Sequence, residues 1–203
     1  NALCHDNQLY HICDEAYEYF TYDGRQHFSA GSLENAAGHT ISLYSLSKAY
    51  GFASWRIGYM VYPENLTSAI YKAQDTNLIC PPVASQYAAM GALAEGAGYC
   101  QRKLEVIQEV RQIILDQLES VQSLCTVSRS EGAFYLIIKL AADLDDMAVA
   151  RRLIRQHRIA VLPGSTFGLQ NGCYFRVAYG ALDKNNAREG IRRLTNGLTD
   201  IMQ

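Results

Sequence analysis

Short runs of apolar and aromatic residues, each closed by a polar or turn-forming residue, fill the first part of the chain. Leu9–Cys13 ends at Asp14, Thr40–Tyr44 ends at Ser45, and Ile57–Tyr62 is stopped by Pro63. Runs of this length between turn formers read as buried strands. Helical patterns come between and after them. Pro63-Glu64 opens one that reaches about Gln74, and Val83–Glu95, just after Pro81-Pro82, is rich in Ala, Leu and Met. Gly96 and Gly98 then punctuate the chain. From Gln101 to Val121, Leu104, Ile107, Val110, Ile114, Leu118 and Val121 recur at spacings of three and four. That makes one apolar helical stripe, with Glu105, Glu109, Arg111 and Glu119 on the other faces. Beyond it, strands are expected at Cys125–Val127, Phe134–Lys139, Ile159–Leu162 and Cys173–Ala178. Asp145–His157 reads as a helix, and a last helix runs from about Lys184 to Ile201 on the stripe Ala187, Ile191, Leu194, Leu198 and Ile201.

The pattern divides the chain in two. Residues 1–95 alternate strands and helices, which predicts an α/β unit with a parallel sheet. Residues 96–203 predict a smaller α/β unit introduced by a long helix. The chain opens at Asn1-Ala2-Leu3-Cys4, apparently inside a helix and without an initiator Met. Three strands are few for a doubly wound sheet, so the chain reads as the back part of a longer protein.

Composition narrows the function. The 203 residues carry 18 Lys and Arg against 20 Asp and Glu, a net charge of −2. That is no footprint for nucleic acid. With 49% hydrophobic and 19% charged residues, the chain is no disordered acidic segment either. Apolar runs such as Ala133–Ile138 are far too short to span a bilayer. No secretory leader is visible, so a cytoplasmic location is expected. The six cysteines contain no C-x-x-C pair and read as free core thiols in a reducing compartment. Cys4-His5 with His11-x-Cys13 matches no common zinc spacing, so no metal is expected.

Candidate chemistry sits where strands end, since ligands of open parallel sheets bind outside the carboxyl ends. One such end reads Ile12-Cys13-Asp14-Glu15-Ala16-Tyr17; another reads Ser45-Leu46-Ser47-Lys48-Ala49-Tyr50-Gly51. Arg56 follows Lys48 by eight residues, and Arg176 lies in the apolar run Tyr174-Phe175-Arg176-Val177. Singly, each has a bland explanation: a turn former, a surface lysine, a structural ion pair. Together they offer an amine that condenses with carbonyls, an acid for a pyridinium nitrogen, an arginine with hydroxyls for a phosphate, and a second arginine for a carboxylate.

Ser45-Leu-Ser-Lys48-Ala-Tyr-Gly-Phe-Ala-Ser-Trp-Arg56-Ile-Gly-Tyr59 resembles the lysine signature of class I/II pyridoxal-phosphate aminotransferases. Asp14-Glu15-Ala16-Tyr17 resembles the family's Asp-x-x-Tyr upstream of that lysine. Asn77–Glu95, with Gln86 and Ala-Leu-x-Glu-Gly, is similar to its next helix. Glu131-Gly-Ala-Phe-Tyr135 and Leu162-Pro-Gly-Ser-Thr-Phe-Gly168 resemble its small-domain markers. Ser54 departs from the pattern, standing where a glycine is usual. The resemblance implies fold type I: part of a large domain with a mostly parallel sheet, then a small C-terminal α/β domain that closes over substrate. It implies pyridoxal 5'-phosphate on Lys48 as a Schiff base, with Lys48 also moving the substrate proton. Asp14 would hold the ring nitrogen and Tyr17 the ring oxygen. Ser45, Arg56 and, more weakly, Ser47 would bind the phosphate. Arg176 would bind the substrate carboxylate. The reaction implied is amino transfer between an α-amino acid and a 2-oxo acid, in a homodimer. The family's N-terminal half, with its phosphate-binding helix start and ring-stacking aromatic, has no counterpart among these motifs.

Two other motifs overlap the same stretch. Ser45-x-x-Lys48 matches a serine-acylating pair, but the Lys-Thr-Gly and Ser-x-Asn elements that chemistry needs do not occur. Tyr44-x-x-x-Lys48 mimics a dehydrogenase pair, but Tyr44 ends a strand and no glycine-rich nucleotide turn is present. Within the same fold, C–S lyase or decarboxylase chemistry would use the same residues, and the chain could be a catalytically incomplete domain fragment. Tyr50, Trp55 and Tyr59 read as packing.

Overall fold

The computed structural model describes residues 1–128 and 130–203. It divides into two compact units, Asn1–Arg102 and Lys103–Gln203.

In the first unit, α1 (Ala2–Asp6) precedes β1 (His11–Asp14), β2 (Thr40–Ser45), α2 (Leu46–Ala49), β3 (Gly58–Val61) and α3 (Thr67–Asn77). The three strands lie in the order β1-β2-β3. β1 pairs parallel with β2, from His11 opposite Thr40 to Asp14 opposite Leu43. β3 departs from the parallel sheet expected: it pairs antiparallel with β2, Ser45 opposite Gly58 and Ser42 opposite Val61. The connection between them contains only the four-residue α2. A parallel return needs a crossover long enough to cover the sheet, and this chain turns straight back. The link from β1 to β2 also departs from the expected alternation. Residues 15–39 contain turns and one short 3₁₀ helix, Ala30–Ser32, but no α-helix.

A second correction concerns burial. Every residue of β3 is exposed, and Ile12 in the middle of β1 is 63% exposed. An apolar run records what a strand is suited to pack against, and burial also needs a covering layer. The side chains that are buried in this unit lie mostly beside the strands: Phe20, Tyr22, Ala30 and Ala36 in the β1–β2 link, and Leu46, Ala49 and Tyr50 around α2.

Helix α4 (Val83–Glu119) carries the chain into the second unit and breaks at Gly96, whose φ of 67° lies in the left-handed region that glycine accepts without strain. The second unit holds β4 (Cys125–Val127), β5 (Tyr135–Leu140), α5 (Asp146–His157), β6 (Leu162–Pro163), β7 (Tyr174–Ala178) and α6 (Lys184–Met202). Its sheet has the order β4-β5-β7-β6, with every pairing antiparallel. The strand expected over Ile159–Leu162 shrinks to the two residues of β6, and the chain then enters a 3₁₀ turn, Gly164–Phe167.

The core of this unit is the predicted one. Val110, Ile114 and Leu118 of α4, Leu136 and Ile138 of β5, Leu153 of α5, Phe175 of β7, and Ile191, Leu194 and Leu198 of α6 form one buried cluster. Alternate residues of β5 and β7 point into it, the period of two that a half-buried strand requires. Asp145 caps α5 through the amide of Ala148, and Asp183 caps α6 through the amides of Asn185 and Asn186.

All six cysteines are free thiols. Cys100, Cys125 and Cys173 are buried as expected, whereas Cys4 and Cys13 are half-buried and Cys80 is exposed. No helix among the described residues is long and apolar enough to cross a membrane.

Candidate active site

Topology gathers the first unit's candidates at one end of its sheet. β1 and β2 are parallel, so their last residues, Asp14 and Ser45, finish at the same edge. β3 runs the other way and begins with Gly58 opposite Ser45, which brings the preceding Arg56 to that edge too. The approach is tight: a Cβ on Gly58 would stand 2.6 Å from the Tyr44 carbonyl oxygen. Only glycine lets the two strands meet there.

Ser45 ends β2 and caps α2, its hydroxyl oxygen accepting from the Ser47 amide at 3.2 Å. One turn of helix follows, anchored by the buried Leu46 and Ala49. Residues three apart share a helix face, so this pair points inward and Lys48 is left exposed. Among the described residues no side chain pairs with the Lys48 ammonium. Gly51, with φ 70°, ends the turn. Arg56 is itself left-handed at φ 52°, and its guanidinium donates to the Ala53 carbonyl at 2.9 Å. A non-glycine residue held this way stores backbone strain, which clusters at ligand clamps.

Asp14 is exposed, and its Oδ1 accepts from the Ala16 amide at 3.0 Å. Its neighbour Glu15, unmarked by the sequence reading, is buried to 1%. The Glu15 amide continues the ladder to the Leu43 carbonyl at 2.9 Å. Its carboxylate accepts from Ser29 Oγ at 2.7 Å and meets His27 Nε2 at 2.5 Å. Burial alone would raise the Glu15 pKa, but the hydrogen bonds from Ser29, His27 and Cys13 outweigh it and hold the carboxyl below its ordinary value. This buried carboxylate therefore ties the irregular 15–39 link to the turn that carries Asp14 and Tyr17. The half-buried Tyr17 packs edge-on against Phe20, ring centres 6.0 Å apart. The only sequence sign of the arrangement is an acid placed next to the strand-ending Asp14.

The dehydrogenase-like pairing fails on placement. Tyr44 lies in β2 and stacks on Tyr59 at 4.8 Å, while Lys48 lies in α2, so the two share no helix face. The aromatics read as packing each stack on a neighbour, Tyr50 on Tyr99, Trp55 on Phe52 and Tyr59 on Tyr44, although Trp55 and Tyr59 remain 45% exposed.

In the second unit Arg176 stands in β7, opposite Ile137 of β5 and Leu162 of β6. Its guanidinium carbon lies 4.5 Å from the Phe167 ring centre and 5.2 Å from that of Tyr135. Its Nε is buried with no hydrogen-bond partner, and among the described residues no carboxylate pairs with the cation. Buried polar groups normally find partners. An orphaned donor on an unpaired guanidinium suits a carboxylate ligand. In the first unit, the exposed Lys48 amine and Asp14 carboxylate, the Ser45 hydroxyl and the Arg56 guanidinium lie toward one end of the sheet, with the Tyr17 phenol three residues past Asp14, and these groups suit part of a pyridoxal-phosphate site.

A family model described as aminotransferase class I and II matches residues 1–194. An aromatic aminotransferase of Arabidopsis thaliana is 34% identical over 98% of this chain and 50% of its own length. Aromatic-amino-acid aminotransferase 2 of Thermococcus litoralis is 30% identical over 88% of this chain and 46% of its own. Among solved structures, an aromatic aminotransferase from Pyrococcus horikoshii superimposes with a TM-score of 0.85 at 26% identity, covering 99% of this chain and 54% of that one. An α-aminoadipate aminotransferase of Thermus thermophilus, solved with N-(5'-phosphopyridoxyl)-L-leucine, matches in fold with a TM-score of 0.90 at 23% identity, covering 99% of this chain and 53% of that one. The chain thus spans about half the length of the relatives it matches. Its fold is that of the pyridoxal-phosphate aminotransferases of fold type I. The chain belongs to the aminotransferase class I and II family.

Proposed function

We propose that Lys48 is the lysine of an aminotransferase that moves an amino group between an α-amino acid and a 2-oxo acid. The observation that carries the proposal is the unpaired, exposed Lys48 on a one-turn helix at the sheet edge shared with Asp14, Ser45 and Arg56. Pyridoxal phosphate, held there by Lys48, would supply the electron sink for charge developing at the substrate α-carbon. The chain's own groups do the rest. The Lys48 amine would take the proton from the substrate α-carbon and deliver it at C4′, base first and acid second. The Asp14 carboxylate holds a proton on the ring nitrogen, and the Tyr17 hydroxyl donates to the ring oxygen. Arg56 and the Ser45 hydroxyl hold the phosphate, with the Ser47 hydroxyl within the same turn. Arg176 takes the α-carboxylate in a two-pronged grip that selects amino and 2-oxo acids. The whole enzyme acts as a homodimer in this reading, as the family does.

Borohydride reduction in the presence of pyridoxal phosphate, followed by digestion and mass mapping, tests the assignment. An adduct confined to Lys48 and absent from Lys48→Ala supports it. Labelling scattered over surface lysines, or none, overturns it for this chain.

A further inference from the structure

The second unit holds Arg176 in an unusual way. A buried or half-buried guanidinium is ordinarily neutralised by a carboxylate, which occupies its N–H fork. Here the cation lies instead over the rings of Phe167 and Tyr135, 4.5 and 5.2 Å from their centres. A ring stabilises a cation through its π face and takes none of the in-plane N–H donors. Two faces can therefore favour the charge while the fork stays open.

That arrangement depends on where the Phe167 ring sits. Phe167 is half-exposed and closes the 3₁₀ turn Gly164–Phe167, so core packing alone does not fix it. Three contacts fix the turn. Asp146, buried at the start of α5, accepts from the Ser165 amide through Oδ2 and from the Ser165 hydroxyl through Oδ1, both at 2.8 Å. The Thr166 hydroxyl donates to the Pro163 carbonyl at 2.6 Å. Gly164 lies so close to β7 that a Cβ would stand 2.5 Å from the Tyr174 Cβ, two residues from Arg176. The chain leaves the turn through Gly168, at φ 80°.

We propose that Phe167 is a positioning residue for Arg176, held in place by the Asp146–Ser165 lock, and that the contacts with the Phe167 and Tyr135 rings keep the guanidinium fork free for a substrate carboxylate. The proposal rests on the reading of Arg176 given above and adds what sets its orientation.

The test uses the full chain with arginine side chains labelled by ¹⁵N. It follows the Arg176 Nε–Hε resonance and titrates pyruvate, a small 2-oxo carboxylate. Phe167→Leu keeps apolar bulk and removes the π face. The Arg176 resonance should lose its ring-current shift, and pyruvate affinity should fall by about fivefold, the range of one partly desolvated cation–π contact. Ser165→Ala and Asp146→Asn should move both readouts the same way by less, and they serve if Phe167→Leu does not fold. A general structural role would shift the unfolding midpoint without moving the resonance or the affinity. If folded Phe167→Leu keeps both, the inference falls. Arg176→Lys separates the two claims. If it loses pyruvate while Phe167→Leu does not, only the positioning role is wrong. If it binds pyruvate like the parent, or the parent shows no response, the carboxylate reading of Arg176 falls. The ligand-free resonance then decides alone whether Phe167 orients it.

Discussion

The two units spend their apolar residues differently. In Lys103–Gln203 the four-stranded sheet and three helices enclose one continuous core, with Leu136, Ile138, Phe175 and Leu198 at 0% exposure. In Asn1–Arg102 the strands carry equally apolar residues but leave them open: Ile12, Tyr59, Met60 and Val61 are all exposed, as are Tyr71, Tyr87 and Met90 on the helices and Ile79 between α3 and α4. What this unit fixes most firmly is the edge that carries polar chemistry, through the cap at Ser45, the Glu15 carboxylate and the close approach at Gly58. One unit is organised around burial, the other around the placement of a few polar groups. A cavity of about 780 Å³ between β3, α3 and the start of α4, lined by Met60, Ile70, Tyr71 and Ile79, belongs to the same open apolar surface.

Core truncation should break the comparison most sharply if it is wrong. Leu136→Ala or Phe175→Ala should cost the second unit about 3–5 kcal/mol by denaturant unfolding. Ile12→Ala or Val61→Ala in the first should cost under about 1 kcal/mol. Equal costs would mean that the first sheet is covered in solution.

Next in size is Glu15→Ala, which strands the Ser29 and His27 donors. A loss of about 2–3 kcal/mol is expected for charge-assisted bonds inside the fold, read by unfolding and by faster amide exchange at Ala16. The sign with pH follows from the depressed folded-state pKa of Glu15. Its contribution is full above the ordinary value of 4.5 and is lost as pH falls below it. The stability gap between the parent and Glu15→Gln should therefore narrow on acidification below that value. A gap constant across the acid range would remove Glu15 from the account.

The smallest effect is chemical. Burial pushes the Cys173 thiol up to about 12, with Asp146, Asp145 and Asp143 adding to the shift. Cys80 is exposed. Timed alkylation at mild alkaline pH should modify Cys80 first and leave Cys125 and Cys173 to the last. Early labelling of Cys173 would mean that the second core opens readily.

Much of this was legible in the sequence, for identifiable reasons. The helical stripe through Val110, Ile114 and Leu118 and the alternation in β5 and β7 are periodicities, and periodicity survives without knowledge of partners. Asp14, Ser45, Lys48, Arg56 and Arg176 are ordinary one by one, and stand out in the sequence as candidates only because together they suit one chemistry and match the family's motifs. Whether β3 ran parallel could not be read from its own residues, since direction is decided by the connection. The burial of Glu15 and the double hydrogen bond of Asp146 were invisible for another reason. Both depend on residues twelve to nineteen positions away, Ser29 and His27 in one case and Ser165 in the other. Phe167 lies in a motif that was recognised, but its ring meets Arg176 only through the packing of β6 and the turn against β7.

The pair Asp14-Glu15 shows how finely the first unit is phased. The two acids are adjacent and chemically alike, yet one is open to solvent and the other is wired into the interior, because consecutive side chains leave an extended backbone on opposite sides. A slip of one residue in β1 against β2 would exchange their fates. It would turn Asp14 toward Ser29 and His27 and send Glu15 outward, with composition unchanged and every motif residue still present. Insertions and deletions between His11 and Asp14 should therefore be far less tolerated than substitutions at Ile12. In this stretch the inheritance that matters is parity: an odd or an even count of residues from the first rung of the ladder.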